Sequence, residues 1–100
     1  MIRHIVLFRV ADRTPRAKPG QVERLREALE PLASSVPGVL SLRVSADPTT
    51  IETHWDAALE TEHESWEHLA AYQAHPEHRR AIEAIDPVVS DRAIVDYELP

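Results

Sequence analysis

One hundred residues make one domain and no more, and a chain this short buries only about two-thirds of its unfolded surface, so self-association would help it. Apolar residues at 43% and charged residues at 28% exclude a disordered chain, and the lack of cysteine excludes disulfides, thiolate metal sites and a cysteine nucleophile. The net charge of −6, a single lysine (Lys18) and scattered arginines provide no basic face for nucleic acid, and no apolar run is long enough to span a membrane.

Ile2 to Val10 reads as a strand with apolar groups on both faces: Ile2, His4, Val6, Phe8 and Val10 against Arg3, Ile5, Leu7 and Arg9. The chain enters this pattern at once, without a signal-peptide hydrophobic region, and a cysteine-free protein of this kind is expected in the cytoplasm. Asp12 to Gly20, with two prolines, a glycine and three positive charges, predicts a loop. From Gln21 on, Val22, Leu25, Leu29, Leu32 and Val36 form one helical stripe, with a kink expected at Pro31 and an end at Pro37–Gly38. Val39 to Ser45 and Thr53 to Thr61 predict two strands around the Asp47–Pro48 turn, antiparallel because the connection is too short for a crossover.

A second helix is expected near Thr61-x-x-Glu64 or Ser65, both of which suit an N-cap, with Trp66, Leu69, Ala70 and Gln73 on one side and Tyr72 beside Leu69. His75–Pro76 restarts it, His78, Ala81, Ile82 and Ile85 share a face, and Asp86–Pro87 ends it. Arg92 to Leu99 predicts the last strand. Trp55 and Trp66 read as core or interface anchors. His54, His63 and His68 stand among carboxylates that include Asp56, and read as solvated surface.

The order β-α-β-β-α-β predicts an α+β, ferredoxin-like fold: one domain over residues 1–100, a four-stranded antiparallel sheet, and both crossovers on one face. The other face would expose Ile5 and Leu7, or Val6 and Phe8. That is more apolar surface than a monomer tolerates, so a homodimer closing two sheets into an α/β barrel around a pocket is expected.

Arg3-His4-Ile5-Val6-Leu7-Phe8, the stretch from Glu64-Ser65-Trp66-Glu67 to Tyr72-Gln73-Ala74-His75-Pro76-Glu77-His78, and Val88 to Tyr97 resemble the stress-responsive A/B barrel (Dabb) family over essentially the whole chain. The resemblance implies the same fold and dimer. It implies no single activity, because the family includes stress proteins and a plant branch of polyketide cyclases that work without a cofactor through a tyrosine and a histidine. By that resemblance Tyr72 and His78 fall on the catalytic pair, with His4 and Asp96 on polar groups near it. Ala57 replaces a further histidine of that branch, and Arg79-Arg80-Ala81 replaces its small and aromatic residues.

His78 lies on the apolar face of its helix, where desolvation favours the neutral imidazole; it is the candidate general base, against a structural histidine bonded to a backbone carbonyl. Tyr72 would support a developing oxyanion, against an amphipathic packing role. His4 and Asp96 fall on neighbouring strands, and either His4–Asp96 or His78–Asp96 would fix a tautomer, against a purely structural pair. His75 and His78 are spaced for a metal only if His4 or Asp96 supplies a third ligand, so His75 is read as the helix junction and no metal is assigned. Only Gly20 and Gly38 are present, so there is no phosphate-cradling loop and no cofactor is assigned. A small carbonyl or aromatic ligand is expected. Three functions fit: a cofactor-independent cyclase, a cofactor-independent monooxygenase, and a non-catalytic stress or ligand-binding protein.

Overall fold

The computed structural model describes residues 1–100. β1 (Ile2–Val10), α1 (Lys18–Leu29), a short α2 (Leu32–Ser35), β2 (Ser41–Ala46), β3 (Ala57–His63), α3 (Trp66–Ala74), α4 (Pro76–Ile85), a 3-10 turn (Asp86–Val88) and β4 (Val89–Glu98) follow in chain order. The four strands form one antiparallel sheet in the order β2-β3-β1-β4, the ferredoxin-like arrangement.

Each boundary that differs from the sequence reading has a local cause. α1 starts at Lys18 and not after Gly20, because Pro19 fits the first turn of a helix, where its missing N–H costs nothing. Pro31 breaks the helix outright: α1 stops at Leu29, and Pro31 caps the separate α2. β2 begins at Ser41, and β4 begins at Val89, three residues before Arg92. β3 runs over Ala57–His63 and not Thr53–Thr61, so Thr61 is a strand residue and forms no capping box. Ser65 alone caps α3, its hydroxyl accepting the His68 N–H at 3.2 Å. In α3 the buried pair is Leu69 and Tyr72; Trp66, Ala70 and Gln73 are exposed, and the Trp66 indole donates to Glu98 at 3.1 Å, so Trp66 is no core anchor. Trp55 is half-buried beneath the Arg9 guanidinium, 4.9 Å from the ring centre.

The core lies between the sheet and the helices. Every even residue of β1 is buried, with Val6 and Phe8 facing Leu59 and Ala57 of β3, and Leu25, Leu29 and Ile85 closing over them. The odd residues of β1 look the other way. Ile5 and Leu7, Ala58, and the exposed Val95 and Tyr97 form an apolar band across the outer face that nothing in the protomer covers.

Asp56, one of the carboxylates near the histidines read as surface, is 1% exposed. It accepts the Val10 N–H at 3.0 Å and the Arg13 Nε–H at 3.0 Å, and Lys18 Nζ lies 3.3 Å away, so it ties the β2–β3 loop to the β1–α1 loop and the start of α1. Burial opposes the charged form and is the largest single influence on this group. The Val10 amide, Arg13 and Lys18 together outweigh it and hold the carboxyl below its ordinary pKa. Asp56→Ala should therefore cost about 3 kcal/mol in urea unfolding at neutral pH, because it strands two cations beside a buried amide. Since the folded-state pKa is the lower one, that difference should hold above the ordinary carboxylate range and shrink as the pH falls through it.

Candidate functional site

The antiparallel register of β1 with its two neighbours places His4 opposite Asp96 of β4 and Thr61 of β3, all on the helix-facing side. His4 is buried, and its Nδ1 lies 2.5 Å from Asp96 Oδ1. A carboxylate only accepts, so Nδ1 carries a proton on the Asp96 side. Of the two pairings open at the sequence level, the structure forms His4–Asp96.

α4 brings His78 to the same region, because the Pro76 restart puts His78, Ala81, Ile82 and Ile85 on its inner side. His78 is half-buried. Desolvation is the main influence lowering its pKa below 6.5, and the nearby His4 and then the Arg92 cation add to it, while the Gln73 carbonyl acts the other way. Tyr72 of α3 is fully buried, its ring edge-on to His78 at 4.8 Å between centroids and 6.3 Å from His4. Burial pushes its pKa up to about 12, and its hydroxyl has no hydrogen-bond partner in the protein. His75 is not part of this cluster's chemistry: its Nδ1 accepts the Glu77 N–H at 3.0 Å as the N-cap of α4.

A cavity of about 200 Å³ opens here, walled by His4, Val6, Phe8, His78, Ile82 and Arg92 among others. Tyr72 stands against His78, one layer in from that wall. The position corrects the sequence reading. This cavity lies inside one protomer, between the sheet and α4, and not between two sheets.

The sequence reading missed His63, which is buried and not solvated. Its Nδ1–H donates to the Gly38 carbonyl at 2.9 Å, its Nε2 accepts the Thr61 hydroxyl at 2.8 Å, and its ring lies 5.0 Å from Tyr72. Desolvation lowers its pKa, which suits this neutral, fully bonded tautomer. Alternation contained the signal: with β3 extended by two residues, His63 falls on the same face as Leu59 and Thr61. His54 and His68 are exposed, as expected.

Among solved structures, a dimeric ferredoxin-like protein of unknown function from Thermobifida fusca YX is 35% identical, with 98% of this chain and 90% of that one covered and a TM-score of 0.81. Another dimeric protein of unknown function and ferredoxin-like fold, from Bacteroides fragilis NCTC 9343, is 29% identical over 98% and 95% of the two chains, with a TM-score of 0.83. The hydroxynitrile lyase of Passiflora edulis shares the fold at 14% identity, covering 99% of this chain and 93% of its own, with a TM-score of 0.72. No curated protein matches. No helix is long and apolar enough to cross a membrane. The profile of the stress responsive A/B barrel domain matches residues 2–99, and with the fold above it shows that the chain belongs to that family.

Proposed function

We propose that this protein is a homodimer in which each protomer carries a small-molecule acid–base site between its sheet and α4. The observation that carries this reading is the His4–Asp96 hydrogen bond at the edge of a largely apolar cavity that also presents His78. A buried imidazole fixed by a carboxylate beside a second imidazole kept neutral by burial provides two proton-handling groups in one water-poor space.

In this reading His78 removes a proton from a carbon next to a carbonyl group. The C–H bonding pair moves into the carbon framework as the carbonyl π pair moves onto its oxygen, and the resulting enolate carbon takes a proton back from the imidazolium. In this reading Tyr72, which stays protonated across the neutral range and whose hydroxyl has no partner in the protein, supports that oxygen from behind His78. His4, held by Asp96, orients the substrate and passes protons at its Nε2. The cavity has room for on the order of six water-sized atoms, which suits a short carbonyl compound better than a long poly-keto chain. That same size supports a second reading, in which the cavity holds its ligand without turnover.

The dimer rests on the apolar outer face. A hollow of about 360 Å³ at its edge, lined by Leu7, Trp55 and Ala58 among others, is where a second copy would seat.

Deuterium exchange at the central carbon of pentane-2,4-dione, followed by proton NMR, separates the two readings. The wild-type chain should accelerate it, and His78→Ala should lower the catalysed rate by roughly a hundredfold or more. Binding without acceleration would leave the ligand-holding reading. Because the pKa of His78 lies below 6.5, the rate should be flat through neutral pH and fall only as the pH drops below that value. Tyr72→Phe removes a buried hydroxyl that has no partner, so its melting temperature should stay level or rise while the exchange rate drops. A variant that loses stability and keeps its rate would make Tyr72 a packing residue only.

A further inference from the structure

Of the arginines that are partly buried, Arg92 is the one with neither a carboxylate nor an aromatic partner. Arg3 pairs with Glu62, Arg13 with Asp56, Arg26 with Glu23 and Glu30, and Arg80 with Glu77, while Arg9 lies over Trp55. Arg92 is half-buried on the helix-facing side of β4, directly opposite Phe8, and its side chain lines the cavity that holds His4 and His78. Beyond the strand ladder it makes one hydrogen bond, from its backbone N–H to Asp91, and its guanidinium makes no ion pair. Asp96 is four residues further along the same face, roughly 13 Å of strand, and is committed to His4. A guanidinium is always charged, and placing one unpaired on an apolar wall is costly unless something anionic meets it there.

We propose, resting on the acid–base reading above, that the compound this cavity takes is a small carbonyl compound carrying a carboxylate, which the Arg92 guanidinium holds in a two-point contact. The planar fork matches a carboxylate, and the cavity joins it to the two imidazoles. Arg92 therefore sets which substrates enter and how they lie, with the carboxylate on the β4 side and the carbon to be deprotonated toward His78. A neutral carbonyl compound of equal size lacks that anchor.

Two probes with the same number of heavy atoms test this on the full chain: 3-oxobutanoate, and pentane-2,4-dione, which has a methyl group in place of one carboxylate oxygen. Titration calorimetry at neutral pH should show the wild type binding 3-oxobutanoate about tenfold or more tightly than the dione, a charge-assisted margin that added salt weakens. Arg92→Leu should erase the difference, and Arg92→Lys, which keeps the charge without the fork, should restore only part of it. Equal binding of the probes by the wild type, no binding of 3-oxobutanoate, or a preference that survives in Arg92→Leu would overturn the proposal. The wild-type comparison needs no variant to fold. Exchange of the dione without carboxylate preference sinks the anion anchor alone; carboxylate preference without exchange supports the anchor and sinks the acid–base reading.

Discussion

β1 is an apolar strand on both sides, and the rest of the structure follows from having to cover each. Its even residues go under the helices and build the core with β3, α1 and α4. Its odd residues, Ile5 and Leu7, face outward with Ala58, Val95 and Tyr97, and the two crossovers cannot reach them because both lie on the opposite face. The same alternation that strands the outer band inserts His4 between Ile2 and Val6 on the inner side. A polar group there must find a partner in the protein, and the register supplies Asp96 across the β1–β4 pair.

His4 belongs to a polar seam through an otherwise apolar layer. Thr61, His63 and Tyr72 adjoin it, and each histidine has its Nδ1–H on a fixed acceptor: Asp96 for His4 and the Gly38 carbonyl for His63. Gly38 is available for that contact because it turns the chain at φ +85°, a conformation that favours glycine, and a Cβ there would come within 3.2 Å of the His68 ring. The Tyr72 hydroxyl is the one buried side-chain polar atom left without a partner. A protein that bonds its buried histidines and leaves that hydroxyl open has placed its unsatisfied group beside His78.

Most of the fold was legible in the sequence because it rests on periodicity. The β1 alternation, the Val22-Leu25-Leu29 stripe and the Pro76 restart each mark an element whose burial follows its spacing. The errors cluster where a distant partner decides. Asp56 carries no local sign that Arg13 and Lys18 will meet it. Nor does Thr61 show that strand pairing with His4 and Leu42 will win over a helix cap. Of the candidate site, the resemblance to a known family supplied Tyr72, His78, His4 and Asp96, helix periodicity put His78 on the inner face, and strand neighbourhood paired His4 with Asp96. The cavity's position inside one protomer was not legible, because it depends on how α4 lies over β1 and β4. Arg92 was hidden for the same reason: only the sheet register puts it on the inner side, opposite Phe8.

The account therefore separates two surfaces that the sequence alone had merged. On the proposed reading, the outer sheet face is where copies meet and the inner face holds the acid–base site. Sedimentation equilibrium across a dilution series tests this division most directly. The account predicts twice the 11.3 kDa chain mass down to low concentration, with Leu7→Arg splitting the particle into folded single chains. A wild-type chain that stays folded and soluble at the single-chain mass throughout, its outer band in water, would contradict it.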